Sequence, residues 1–571
     1  MAHYSLHAAD QVVIAGYFLL LAAVGFYFWR RMRHVRDLFT GGNNIPWWLA
    51  GVSFYLTAFS AFTFVAYSEI AYRYGIVALT LTWSSVASMI IGTIFLAGRW
   101  RRARIISPVE FLEARYSPQI RQALAWAGLP LKLIDDGLKI YATGIFISAG
   151  LGYDLKLSVI GSGVVMSLYT FMGGLWAVVV TDYVQFIILT IGVAVLFPLV
   201  FSHMGGIGAG LETIWRDHPA GFLSPFAHPY SILYIVAFYL LVILSYNGNW
   251  AFAQKFYSVR NEREARKAGI LATILKILGP PLFVLPAMAA HYLMPELAQP
   301  PNSPQYTYAA MSLKYLPAGL VGLMIAAMFS ATMSTLSGDF NVIASVLTED
   351  VYHRLIRKDA SPRNLMITGR VTTLLAGAIT ILIGIVLVET ARTGLFEVMV
   401  ALFSLFVGPM LLPMLAGLLS RRLSWRGATA GIVAGFISGF SLYLYKTLAL
   451  TKQPLRYDFE AVSILVNIAV TLLAMIVTTL LERKTAAECA RIESFFHRLD
   501  QPISLPEASA AAGTPFSPMP VIGWTTFGVG CLLMCSAAML PAGSGRTIDV
   551  AVGLFLCISG SGFYLLGKRR G

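Results

Sequence analysis

Apolar stretches of membrane-spanning length follow one another along almost the whole chain, and no soluble fold accommodates that. A helix needs roughly 20 apolar residues to cross a bilayer. About fifteen segments meet this length, near 10–30, 47–75, 77–98, 121–150, 153–172, 175–202, 229–254, 267–295, 315–346, 364–388, 391–419, 425–447, 457–481, 521–541 and 549–567. In lipid every backbone polar group must be paired inside the protein, so these segments are expected to be helices of an all-α polytopic membrane protein. Only 12% of the residues are charged, about half the share of a soluble domain.

The net charge of +14 is not a nucleic-acid footprint, because the basic residues are dispersed over short connections. They gather on alternate ones. These hold Arg30, Arg31, Arg33 and Arg36, then Arg99, Arg101, Arg102 and Arg104, then Lys255, Arg260, Arg263, Arg266 and Lys267. Arg354, Arg357 and Lys358 follow, then Arg421, Arg422 and Arg426, then Arg483 and Lys484, and last Lys568, Arg569 and Arg570. Positive connections stay in the cytoplasm, which sets the N-terminus outside and the C-terminus inside. The first stretch has no basic region before it and no small-residue cleavage site after it, so a retained helix is expected rather than a signal peptide. Cys489, Cys531, Cys535 and Cys557 have neither metal-ligand spacing nor the pattern of a disulfide framework. The 482–520 connection begins with an amphipathic helix over Lys484–Arg498 and continues as a Pro-, Ser- and Ala-rich linker.

Two spans are poor continuous helices. Thr57-Ala58-Phe59-Ser60-Ala61-Phe62-Thr63 places three hydroxyls mid-membrane, and Tyr246-Asn247-Gly248-Asn249-Trp250 interrupts an apolar run. Asn and Gly favour turns over helix interiors. Unwound backbone is tolerated at membrane depth only where protein buries it or it lines a cavity. The breaks lie five spans apart, which is the pattern of an inverted-repeat transporter with its site at the midplane. A carboxylate, Asp182, sits in the run Gly173-Gly174-Leu175-Trp176-Ala177-Val178-Val179-Val180-Thr181-Asp182-Tyr183-Val184-Gln185. An acid at that depth faces the protein interior as an ion or proton site, or caps a helix start beside a Gly-Gly turn.

The Gly173–Gln185 run resembles the signature of the sodium/solute symporter family. So do Ala326-Ala327-Met328-Phe329-Ser330-Ala331-Thr332-Met333-Ser334-Thr335-Leu336-Ser337, Leu347-Thr348-Glu349-Asp350-Val351-Tyr352, Asn249 with Gln254-Lys255, and Trp47-Trp48. The resemblance covers about 10–480 and implies a LeuT-type core of two inverted five-helix repeats, with further helices around it. The implied organisation is a peripheral helix and basic loop (1–46), a first repeat (47–202), an extracellular loop (203–228), a second repeat (229–419), peripheral helices (420–481), a cytoplasmic linker (482–520) and C-terminal helices (521–571). It further implies a main sodium site from the carbonyls of Leu56, Phe59 and Ala331 and the hydroxyls of Ser334 and Thr335. Neutral oxygens suit a hard cation that must be bound and then released. A second sodium site would use Asp182 and Ser337, although Gly338 stands where two-sodium members carry another hydroxyl.

Lys276 and Asn249 match sugar-contact positions, and the substrate group implied is Ser60, Thr63, Thr82, Trp83, Asn249, Trp250 and Lys276. Three polar positions of sugar carriers are Thr82, Thr63 and Ala401 here. The fourth span adds Lys132, Asp135, Asp136 and Lys139, whose i,i+4 spacing pairs Lys132 with Asp136 and Asp135 with Lys139. One of these acids is expected either to stay in that self-paired stripe or to meet Lys276 or line the pocket; Glu69, six residues past the break, is another candidate, or else a helix-end acid near Arg73.

The expected activity is sodium-coupled import of a small polar organic solute, preferably a sugar or sugar derivative, by a multi-pass protein of the plasma (inner) membrane working as a monomer. Rival readings are a proton- or sodium-coupled carrier of an organic anion or amino acid using Asp182 or the 135–136 pair, and a transporter-like sensor. No kinase-like domain follows the last span, which favours the carrier. An enzyme is not expected, because the loops hold no nucleophile–base or metal constellation.

Overall fold

Interior polar residues decide how these helices fit together, since apolar packing alone is as available in lipid as in protein. A computed structural model describes residues 6–30, 40–107, 109–299, 303–390, 395–449, 454–504 and 517–570. Arg31, Arg33 and Arg36 of the first basic connection, and linker residues 505–516, lie outside the described residues. The principal helices are α1 (Ala8–Trp29), α2 (Trp47–Thr57), α3 (Ala61–Tyr74), α4 (Val77–Ile91), α5 (Pro118–Leu151) and α6 (Leu155–Ser202). They continue with α7 (Ile232–Gly248), α8 (Trp250–Tyr257), α9 (Glu262–Leu293), α10 (Leu320–Ser345), α11 (Pro362–Thr390) and α12 (Leu395–Leu419). The last are α13 (Trp425–Ala449), α14 (Pro454–Leu481), α15 (Ala486–Asp500), α16 (Met519–Ala538) and α17 (Ser544–Arg570).

Among the described residues, eleven helices are long and apolar enough to cross a membrane, or up to fourteen if each bent pair is one span. The bent pairs are α2 with α3 (53°), α7 with α8 (49°), and α5 with Leu155–Phe171 (116°). The first two bends are at the breaks read from the sequence. The third is a hairpin, turned at Gly152 in the left-handed region (φ 69°), and its two arms account for the difference from about fifteen. The turn expected at Gly173-Gly174 is not formed, because α6 runs through it. A helical glycine costs only about 1 kcal/mol, too little to stop a helix with good residues on both sides.

Helix α10 is the hub, and every one of its residues is buried. It packs against α1, α2, α5 and α6. Its start is held by α1, where Asp10 Oδ1 accepts the N–H groups of Gly319 (2.6 Å) and Gly322 (2.8 Å). Those are donors that a helix N-terminus leaves free. Gly319 has φ +93°, and a Cβ there would lie 2.4 Å from Asp549 Oδ2, so only glycine fits the entry.

The basic connections meet at one end of the bundle, in keeping with their common side. There Arg99 donates to Leu418 O (2.7 Å), Arg102 to Glu262 (2.6 Å) and Arg104 to Arg498 O (3.2 Å). Glu113 receives Arg121 (2.9 Å) and Arg354, and Arg121 also reaches Asp350. Partial burial pushes the Glu113 carboxyl up, but the hydrogen bonds from Arg354 and Arg121 outweigh it and hold the group below its ordinary range. The amphipathic segment forms α15, capped by Thr485 and seated through Ile492, Phe495, Phe496 and Leu499. Phe495 stacks on Phe111 at 6.1 Å.

Asp10→Ala leaves two buried amide donors at the α10 start without an acceptor, at about 1–3 kcal/mol. The variant is expected to unfold at lower temperature in detergent, read by a fluorescence melt, with Asp10→Asn retaining part of the loss.

Candidate functional site

Chain ends freed by the first break converge on one hydroxyl of α10. Helix α2 stops at Thr57, and Ser60 adopts an extended conformation (φ −142°, ψ 174°) before α3 begins. The last α2 turn tightens, with Phe59 N–H donating to Leu56 O (2.8 Å), and the Thr57 and Phe59 carbonyls lie beyond the helical ladder. Thr335 Oγ1 lies 3.1 Å from Phe59 O, 3.4 Å from Leu56 O, 3.4 Å from Thr57 O and 3.2 Å from Ala331 O. A hydroxyl has a single hydrogen to give, so it cannot satisfy four acceptors. Such a surplus of neutral oxygens fits a hard monovalent cation. On the other side of the break, Ala61 N–H donates to Thr332 Oγ1 (2.9 Å), which is also bonded to Thr143 Oγ1 (2.8 Å). Of the expected main-site residues, Leu56, Phe59, Ala331 and Thr335 are thus together. Ser334 is buried beside them in the chain, but its Oγ has no hydrogen-bond partner and lies next to the Asp182 carboxylate.

Asp182 does not cap a helix start. It is fully buried in the middle of α6 and accepts the Ser53 hydroxyl of α2, while its Oδ1 has no hydrogen-bond partner. Ser337, its expected companion, donates to Ser334 O of its own helix (3.1 Å). The position of a Cβ at Gly338 has only Ala251 Cβ in range, at 3.9 Å, so there is room for the absent hydroxyl. Two residues near Asp182 escape the reading of the sequence. Ser53 lies one turn before Thr57 and is legible as a further hydroxyl of the broken span. Lys255, which its neighbours place in a basic loop, is instead 0% exposed inside α8, because the second half-helix carries it inward.

A cavity of about 120 Å³ lies between the two breaks, lined among others by Ser60, Thr63, Thr82, Asn249 and Lys276. A larger space of about 410 Å³, lined by Ala401, Lys446 and Glu460, touches neither break, so the smaller one is the candidate solute site. The structure brings five of the seven expected substrate residues into that cavity. Trp83 is not among them: it is 37% exposed and donates its indole N–H to Ile277 O (3.3 Å). Adjacent residues of a helix point about 100° apart, so Thr82 and Trp83 cannot both face inward. Trp250 lines a neighbouring space with Gly128 and Met410.

Lys276 donates to Ala58 O (3.0 Å) and sits 3.9 Å above the Phe59 ring centroid. Among the described residues no carboxylate pairs with it, so neither Asp135 nor Asp136 meets it. Both acids bind Lys139 instead, at 2.8 and 3.0 Å. The expected Asp135–Lys139 pair is therefore present, and the Lys132–Asp136 pair is not. Lys132 is drawn to Asp339 of α10 and to Asn249 Oδ1 (3.0 Å). Lys139 also reaches Asp339 (2.9 Å). Asp339 is absent from the expected set, although a carboxylate four residues past Thr335 in an apolar span is a signal by itself. Glu69 is not in the cavity lining and pairs with Arg73 (3.1 Å), the helix-end alternative.

At the second break Asn249 is extended (φ −62°, ψ 132°), and its side chain caps α8 by accepting Ala251 N–H (2.9 Å). One amide oxygen therefore both starts the half-helix and receives Lys132.

The chain is 26% identical over 422 residues to the sodium/sialic acid symporter NanT of Aliivibrio fischeri, spanning 72% of this chain and 83% of that one. It is 28% identical over 448 residues to the sodium/glucose cotransporter 4 of Danio rerio, spanning 72% and 67%. A solved structure of a Na+-coupled sialic acid symporter, substrate-bound and outward-open, superposes with a TM-score of 0.73 at 23% identity, over 83% of this chain and 98% of that one. The fold class is the all-α LeuT-type one. Residues 38–435 match the sodium:solute symporter family, and the chain, a multi-pass membrane protein, belongs to that family.

Proposed function

We propose that this protein is a sodium-coupled symporter that imports a small polar organic solute, a sugar or sugar derivative, by alternating access across the plasma (inner) membrane, working as a monomer. The observation that carries the reading is the convergence of four backbone carbonyls on the Thr335 hydroxyl where the first break meets α10. Relatives named as sodium symporters of sialic acid and glucose support both the ion and the solute class.

In this reading Na+ is a transported substrate. Leu56, Thr57, Phe59, Ala331 and Thr335 hold it, with Ser334 at the edge of the site. Its charge tightens the contact between α2 of the first repeat and α10 of the second. That contact orders the break, and the break carries Ser60 and Thr63 of the solute cavity. Na+ binding therefore favours the state in which the cavity is complete, which is how one gradient drives another solute. The repeats then rock about the midplane and open the site to the other side. At the basic end, the Glu113–Arg121–Arg354 and Arg121–Asp350 contacts form the closure that this motion must part.

Asp182 has two roles open to it here. It either completes a second sodium site with Ser334 or supplies negative potential along the sodium path. Lys276 is placed to donate to a solute oxygen once its bond to Ala58 O is exchanged.

Uptake into proteoliposomes decides the reading. A panel of sugars, sialic acids, amino acids and carboxylates is offered with and without an inward Na+ gradient. At least one sugar or sugar derivative is expected to accumulate only with the gradient, and accumulation of none refutes the proposal. Ser334→Ala and Thr335→Ala are expected to raise the Na+ concentration for half-maximal uptake, by about tenfold or more for Thr335, given about 1–3 kcal/mol for a lost ligand. Unchanged Na+ dependence in both excludes them as ligands. Lys276→Met is expected to weaken the apparent solute affinity about tenfold while shifting Na+ affinity less, measured in the same assay.

A further inference from the structure

Lys132, Asp135, Asp136, Lys139 and Asp339 form one contact network. By formal charge it holds three carboxylates and two ammonium groups, which leaves one negative charge over. The surplus is deep, since Asp136 is 0% exposed and Asp339 1%. An uncompensated charge in such a place costs several kcal/mol. Something with one positive charge is needed.

The three carboxylates bring oxygens within 4.8 Å of one another, a spacing that would suit a metal ion. That position is already taken. Lys139 Nζ lies 2.8 Å from Asp135, 3.0 Å from Asp136 and 2.9 Å from Asp339, so its ammonium stands where the metal would. What is left is one oxygen: Asp136 Oδ2 is buried without a hydrogen-bond partner. An oxygen of Asp339 lies within 4.8 Å of one of Asp136. Two carboxylate oxygens face each other favourably only when one of them bears a hydrogen. A single proton on Asp136 balances the network and satisfies the orphaned oxygen together.

The charged groups that face Asp136 are Asp135, Lys139 and Lys132 of its own helix and Asp339 of α10. Lys255 of α8 also acts on Asp339, but its single charge is offset by Asp182, so the negative charge left over in the network stands. On the α11 side, Gly137 meets Ile383 and Gly384, which carry no charge. Among the described residues α3, α6, α11 and α12 contribute no ion pair to the network.

We propose that Asp136 is a proton-binding site and that it exchanges its proton with water during the transport cycle. The exchange rests on the symport reading above, whereas the proton site does not. Asp135, Lys139 and Asp339 line the central cavity, which gives water a route to the network. The network also ties α5 of the first repeat to α10 and Asn249 of the second, so rocking of the repeats must strain it. On release the Asp136 O–H bond breaks, its electron pair stays on the carboxylate, and the proton passes to cavity water. On reloading the step reverses.

Infrared difference spectra of the full-length protein in proteoliposomes, recorded between acidic and alkaline pH without solute or Na+ gradient, test the site. The carbonyl band of a protonated carboxylic acid is expected in the wild type, lost as pH rises and missing in Asp136→Asn. Absence of a titrating band in the wild type, or the same band in the variant, overturns the site. If Asp136→Asn does not fold, Asp136→Glu takes its place, and a band left unshifted by it overturns the site. For the exchange, Na+-driven uptake is measured with and without an inward proton gradient. At least a twofold response is expected in the wild type and none in Asp136→Asn. A wild type indifferent to the proton gradient overturns the exchange, as does failure of Na+-driven uptake of every solute, while the spectrum still judges the site alone.

Discussion

Backbone opened at membrane depth has no water to turn to, and the polar interior of this protein is organised around meeting that demand. The break between α2 and α3 leaves carbonyls on one side and an N–H on the other. Thr335 answers the carbonyls and Thr332 answers the Ala61 N–H. Lys276 answers the Ala58 carbonyl from α9. Three residues on two other helices are thus fixed by one short interruption. Because the hydroxyl of Thr335 cannot pair with every oxygen around it, meeting the demand is incomplete, and in the proposed reading the remainder is an affinity for a cation. The same arrangement stabilises the break and gives it a use.

Charge follows the same logic on a second scale. Lysine and aspartate are expensive within a span unless they pair, and pairing across helices specifies which helices are neighbours. Lys132, Lys139 and Asp339 lock α5 to α10, and Thr143 with Thr332 continues that contact one turn further on. Positions 132, 136, 139 and 143 lie on one face of α5, and 332, 335 and 339 on one face of α10. The two faces run antiparallel as a polar seam. Lipid offers nothing to compete with such a seam, so it fixes register more firmly than apolar packing between the same helices.

Much of this is legible in the amino-acid sequence. The crossing segments, the basic connections and both breaks follow from residue type and spacing, and the hydroxyl pair at Ser334-Thr335 is marked by the motif that surrounds it. Side-chain direction is not legible in the same way. Thr82 and Trp83 are neighbours in the chain, yet helical phase sends the tryptophan outward. For Lys132 the acids within reach on its own helix are Asp135 at i+3 and Asp136 at i+4, but its partner is Asp339. That residue is more than two hundred positions away, and no local periodicity points to it. Lys255 precedes a run of arginines and looks like part of a basic loop, until the half-helix α8 is seen to end after it. Gly173-Gly174 has the composition of a turn, where continuous helix is the cheaper solution. In each case a tertiary contact overrides a local rule.

The sodium candidate and the charged seam are not independent features. Thr335 and Asp339 are four residues apart on α10, so they stack on one face about one turn, or 6 Å, from each other. A rigid helix cannot move one without the other. Any displacement of α10 that opens the ring of carbonyls around Thr335 also pulls Asp339 from Lys132 and Lys139, and those lysines belong to the helix whose Asp135 lines the solute cavity. Asn249 joins from the second break, because its oxygen accepts both Lys132 and the first amide of α8. The proposed ion site, the cavity wall and both broken helices therefore share a single moving part. Coupling in this protein needs no long relay, since the groups that must act together are carried by one buried helix and the two interruptions packed around it.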